Sequence, residues 1–166
     1  MLSLFKRFRN TLYIRLEPER IRILHVESGH EITDTPTLAV ETRKSQQIVV
    51  AAGRDAIALS TQPNVCVRNG FLHPRTLLAD FAIAEQTLRY FIKQAQPKSV
   101  LVIAPIIVIH PLALLEGGLT QIEIRAFTEL GAMSGARQVY IWTGPDLSRE
   151  ELSNLCFSRT GGQLLS

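Results

Sequence analysis

Residues 100–109 form the longest apolar run in this chain. At about ten residues the run is short of the roughly 18–20 that a bilayer span requires, so it reads as a buried strand with an apolar extension. Residues 99–105, a run of mainly apolar residues with β-branched Val100, Val102 and Ile103, closed by Pro105, fit a central parallel strand covered on both faces. A strand of that kind needs helices above and below its sheet, and the rest of the sequence supplies them. Asp80 is placed to accept hydrogen bonds from the first free N–H groups of a helix over 81–94. Phe81, Leu88, Phe91 and Ile92 then recur at i, i+3/i+4 spacing, and Pro97 stops the pattern. A second helix is expected over 120–133, with Ile122, Ala126, Phe127 and Leu130 on one side and Gly135 as its stop. A third over 147–157 is entered through Ser148 and Glu151, a capping-box spacing.

Before the apolar run the period is that of strands. Apolar and polar residues alternate over 12–16 and 21–26, with the turn sequence Glu17-Pro18-Glu19-Arg20 between them, which predicts a β-hairpin. Short strands are expected at 37–42 and 47–52, and Gly53 leads into a short helical stretch ending near Ser60. The segment 61–76 is rich in Pro, Asn and Gly and reads as loop, 138–142 reads as a strand, and 158–166 reads as a loose tail. A meander followed by strand–helix alternation gives an α/β domain with a mixed sheet. The organisation is an arm over 1–11, one domain over 12–158 and a tail over 159–166. With 166 residues, 46% hydrophobic and 20% charged, the chain is long enough to bury one core and is not of disordered composition.

Several functional classes drop out. Cys66 and Cys156 lack CxxC spacing and fit reduced thiols, while His25, His30, His73 and His110 show no metal-ligand spacing, so no metal is expected. His110 reads as a packed or hydrogen-bonded residue. Basic residues are not clustered with aromatics outside the arm, which argues against nucleic acid. No secretory apolar stretch follows the basic start, so export is not expected. The arm itself is informative. As a helix it gathers Leu4, Phe5, Phe8 and Leu12 on one side, with Leu2 beside them at its start and Lys6, Arg7 and Arg9 flanking or opposing the stripe. A basic amphipathic segment of this type seats its apolar face in the lipid interface while its cations meet anionic headgroups, each worth about 1 kcal/mol. Packing of the same Leu and Phe residues back on the domain is the competing reading.

The wording of the helical segments carries more than periodicity. Leu78-Ala79-Asp80-Phe81 through Phe91-Ile92-Lys93-Gln94 resembles the (I/L)ADF…FIKQ segment of the MreB family of bacterial actins. Residues 50–56 are similar to the family's VAAVGxDA, residues 100–105 to its VLVxxP strand, and residues 121–126 with 135–140 and Pro145 to its QVERRA…GAREVFLIEEP. These stretches occur in order over about residues 10–145. The resemblance implies an actin-like ATPase domain of ribonuclease-H-like fold, single half only. It also implies a membrane-anchoring role for the arm through Leu2, Leu4, Phe5, Lys6, Arg7, Phe8 and Arg9.

The departures from the family concern its chemistry. Where MreB reads DLGTANT, a hairpin that organises metal-bound water and offers backbone N–H groups to phosphates, this chain reads Arg15-Leu16-Glu17-Pro18-Glu19-Arg20-Ile21. Aspartate has become Arg15, glycine has become Glu17, and Pro18 removes an N–H. No nucleotide binding is therefore expected, and no cofactor. Glu123 stands at the position of the family's water-orienting glutamate and reads as an idle residue in a helix's first turn, where negative charge suits the macrodipole. The segment 106–119 has no counterpart in the family's short link, and Ile107, Ile109, Leu112, Leu114 and Leu115 make it a candidate apolar contact surface. The expectation is a non-catalytic half-actin, cytoplasmic and peripheral at the inner membrane. It would contact inner-face lipid through the arm and an MreB-type filament, a cell-shape or envelope protein, or a second copy of itself. An adaptor of the PilM type and one component of a split ATPase are the alternatives.

Overall fold

The computed structural model describes residues 9–98, 103–157 and 161–165. The hairpin forms as expected: β1 (Thr11–Glu17) runs antiparallel to β2 (Arg20–His25), with Glu17 opposite Arg20 across Pro18 and Glu19. β1 alternates strictly, sending Leu12, Ile14 and Leu16 into the main core and Tyr13 into a second cluster on the other face. β3 (His30–Asp34) pairs with β2. Its sequence HEITD holds one apolar residue, Ile32, so no alternation announces it.

The central strand lies further along the chain than the apolar run suggests. β7 (Ile106–Pro111) pairs parallel with β1, Thr11 opposite Ile106, and all six of its residues are buried. Residues 103–105 precede it as coil, and 99–102 fall outside the described residues. Pro105 has no N–H to give to a ladder and marks the strand's start. Its carbonyl accepts instead from the Arg137 N–H at 2.9 Å, and the strand starts with Ile106 donating to the Asn10 carbonyl at 2.8 Å.

β8 (Gln138–Thr143) continues the parallel set beside β7. The described part of the expected loose tail is built into the sheet: β9 (Gln163–Leu164) pairs antiparallel with β8, and the Leu165 N–H donates to the Ile141 carbonyl at 2.9 Å. The large sheet thus has the order β3-β2-β1-β7-β8-β9. A smaller antiparallel sheet joins β4 (Thr37–Arg43), β5 (Gln46–Ala52) and β6 (Val65–Asn69) in the order β5-β4-β6, followed on β5 by the short α1 (Arg54–Ala58). β6 lies in the segment read as loop. Its residues Val65, Val67 and Asn69 are only half-buried, so no clear apolar face shows in the sequence.

α2 (Phe81–Ala95) packs on β2, β3, β4 and β6, tying the two sheets together through buried Ile83, Ala84, Leu88, Phe91 and Ile92. Asp80 caps it, accepting from the Ile83 N–H at 3.2 Å, and its other oxygen holds Arg68 at 2.6 Å. Asp80→Ala is expected to cost about 1 kcal/mol in denaturant unfolding, the usual worth of an N-cap, since the exposed Arg68 pair adds little. α3 (Gln121–Met133) covers β7 and β8 with Phe127, Leu130 and Gly131, whereas Ile122, expected on that face, is 81% exposed. Only the later turns of α3 lie over the strands. Gly131 permits that approach, because a Cβ there would stand 2.8 Å from a Val139 methyl. On the opposite face α4 (Arg149–Asn154), entered through the Ser148–Glu151 capping box, covers Tyr13, Val26, Val108 and Trp142 with Leu152.

Candidate functional site

Ligands of α/β sheets sit beyond the carboxyl ends of parallel strands, where loops from neighbouring strands converge. Here β1, β7 and β8 converge at Glu17-Pro18, Pro111-Leu112 and Gly144-Pro145. The side chains at this edge are paired with one another. Arg15, only 12% exposed, donates from Nη2 to Glu31 of β3 at 2.6 Å and from Nη1 to Asp146 beyond β8 at 2.9 Å. Its guanidinium also lies 5.5 Å from the Tyr13 ring centroid. The carboxylate of Glu17 is held by Arg20 at 2.8 Å and Arg22 at 3.4 Å. Pro18 contributes a carbonyl that accepts from Asn69 Nδ2 at 2.7 Å.

Beneath this ionic layer lies a buried polar pair. Tyr13 Oη is 2.5 Å from His110 Nδ1, and His110 Nε2 is 3.0 Å from the Gly144 carbonyl. A carbonyl only accepts, so Nε2 carries the proton, Nδ1 is the acceptor, and Tyr13 donates to it. The Leu147 N–H in turn donates to Tyr13 Oη at 3.3 Å. Burial pushes the Tyr13 hydroxyl up to about 12, against the lowering pull of Leu147. Burial likewise lowers the His110 pKa, outweighing the Gly144 carbonyl and Asp146, so the ring is neutral at pH 7. This relay locks the ends of β1, β7 and β8 together, with His110 a hydrogen-bonding residue as its sequence setting suggests.

The remaining candidates are dispersed. Glu123 is the return arm of a capping box on α3: its carboxylate accepts from the Thr120 N–H and hydroxyl, both at 2.9 Å, and from the Thr76 hydroxyl at 3.1 Å. Burial opposes its charge, but these donors outweigh it and its pKa is lowered. None of its hydrogen bonds reaches Arg15 or Glu17. The proposed apolar contact segment is corrected in part: Ile107 and Ile109 are 0% exposed in β7, core residues and not surface. Leu112 and Leu115 are half-buried, and only Leu114 is exposed. Of the membrane candidates, Leu2, Leu4, Phe5, Lys6, Arg7 and Phe8 lie outside the described residues, while Arg9 donates to the Ser153 carbonyl of α4. Among the described residues no group of three or more His, Cys, Asp or Glu side chains could hold a metal ion.

Sequence reasoning missed Glu31, Asp146 and Tyr13 as members of this edge. Glu31 is two strands from Arg15, on a strand with no apolar signature, and Asp146 is 131 residues away along the chain. Only the strand order brings them together.

Comparison with known proteins accords with this architecture. A family model described as MreB/Mbl protein matches residues 10–147. The cell shape-determining protein MreB of Pasteurella multocida is 30% identical over 151 residues, covering 86% of this chain and 41% of the relative. MreB5 of Spiroplasma citri, in a crystal structure bound to ADP, superposes with a TM-score of 0.57 at 17% identity, over 79% of this chain and 37% of that one. A non-polymerising MamK mutant bound to AMPPNP gives a TM-score of 0.59 at 12% identity, over 80% and 40%. The chain thus spans well under half the length of the proteins it matches. The fold is that of one half of an actin-like domain, and the chain belongs to the MreB/Mbl family.

Proposed function

We propose that this chain is a non-catalytic MreB-like scaffold of the bacterial cell-shape cytoskeleton, which works by binding at the inner face of the membrane and does not turn over nucleotide. The observation that carries this reading is the closed ionic edge formed by Arg15, Glu31, Asp146, Glu17, Arg20 and Arg22. In the family the corresponding turn meets phosphates with backbone N–H groups. Here a carboxylate stands in that turn, Pro18 offers no N–H, Arg15 is already held by two carboxylates, and Arg20 and Arg22 are held by Glu17. A carboxylate within about 5 Å of a triphosphate opposes it by several kcal/mol in a site that excludes water. The residues present do not fit a magnesium–triphosphate group. The arm supplies the membrane contact and an MreB-type filament or second copy the protein contact.

The test is done on one preparation of the full chain. ATP titrated with Mg²⁺ is expected to show no binding tighter than about 1 mM, a free energy of only about 4 kcal/mol. Vesicles containing anionic lipid are expected to sediment the full chain but not a version lacking residues 2–8. Tight Mg²⁺-dependent ATP binding would sink the non-catalytic reading, and equal sedimentation of both versions would sink the membrane reading.

A further inference from the structure

Beside the second cluster a groove of about 570 Å³ opens between the end of α4 and β9, lined by Trp142, Leu155, Cys156, Phe157, Gln163 and Leu164. Its walls are mainly apolar and aromatic, with Gln163 the polar side chain among them. Phe157 tilts against both Tyr140 and Trp142, with ring centroids at 5.5 and 5.9 Å, and Leu164 is 42% exposed. An apolar hollow of this size has the dimensions of sites that bury large side chains. Arg9 shows what lies close to it. Its guanidinium is hydrogen-bonded to the Ser153 carbonyl, two residues before Leu155, in a separate hollow that Glu27 and Arg149 also line. The eight residues before Arg9 therefore start at the very helix end from which the groove opens.

We infer that the groove is the docking site of this chain's own N-terminal segment, residues 2–8, which lays Phe5 and Phe8 against Phe157 and Leu164. The reach suffices: from Arg9, eight residues extend about 12 Å as a helix and about twice that when extended. The segment carries four large apolar side chains, Leu2, Leu4, Phe5 and Phe8, and the groove offers the apolar surface they need. The docked arm hides the residues that a lipid surface would take, so the groove and the membrane compete for one apolar stripe.

Cys156 lines the groove and is exposed, which makes the docking directly testable. In a Cys66→Ser background, Phe5→Cys is combined with native Cys156 and oxidised mildly without lipid, then run on a non-reducing gel. A disulfide within the monomer is expected to form at least about tenfold faster than with Ser45→Cys at the β4–β5 turn, reflecting the high effective concentration of a short tether. Leu164→Glu is expected to return the rate to that of the control. Equal rates for Phe5→Cys and Ser45→Cys would overturn the docking. So would a product that is intermolecular and concentration-dependent, which would assign the groove to a second copy. The docking stands apart from the membrane reading, because the cross-link is measured with no vesicles and sedimentation with no oxidant.

Discussion

Truncating Leu88 to alanine is expected to destabilise the domain by about 3 kcal/mol, measured as a lower denaturant midpoint with an unchanged slope, and to lower Tm by about 10 °C. Leu88 is fully buried in the main core, on the face of α2 that meets both sheets. Its loss removes transfer free energy and leaves a cavity that cannot close, because the neighbours that would have to move belong to different sheets. A cost below about 1 kcal/mol would show that α2 is a cover on one sheet and not the tie between two. Leu88→Met, which keeps the volume, is expected to cost less than about 1.5 kcal/mol.

His110→Ala carries the second large effect, again about 3 kcal/mol at neutral pH, from a cavity in β7 plus the loss of two hydrogen bonds. The Tyr13 hydroxyl and the Gly144 carbonyl both lose their partner. Tyr13→Phe should cost less, because its ring still fills the second cluster. The acid behaviour distinguishes this site from an ordinary core position. Burial holds the folded His110 pKa below its ordinary value of 6.5, and His25, buried beside Glu27, is lowered in the same way. Below about pH 6.5 the unfolded chain binds protons that the folded chain refuses, so stability present above that value falls as pH drops toward the folded pKa. His110→Phe, which keeps the ring volume but cannot titrate, is expected to flatten the loss of stability between about pH 7 and pH 5. A slope equal to wild type would assign the acid sensitivity to His25 alone.

The elements most legible in the sequence are those whose signal is local. The Asp80 cap, the Ser148–Glu151 box and the stripe of Leu88, Phe91 and Ile92 each lie within a few residues, and each is present in the structure. The β1–β2 hairpin follows from alternation about Pro18, and the family resemblance rests on the same segments. Where two apolar stretches adjoined, local pattern failed. The apolar run continues through Pro105 into 106–111, and only the pairing with β1 on one side and β8 on the other marks Ile106–Pro111 as the central strand. β3, β6 and β9 were illegible for a related reason. They are edge or half-exposed strands whose stability comes from a partner strand, so their own side chains need not alternate.

At the strand ends, the amino-acid sequence by itself determined which residues stand in the β1–β2 turn: Arg15, Glu17 and Pro18, where the resemblance to the family implies a phosphate-binding turn. It could not determine what those residues do. Arg15 is held by Glu31 and Asp146, and Tyr13 by His110, through contacts spanning 16, 131 and 97 residues of chain. Local sequence sets capping and periodicity because those interactions close within one or two turns. The pairing of charges over a sheet edge depends on strand order, which only the folded chain supplies.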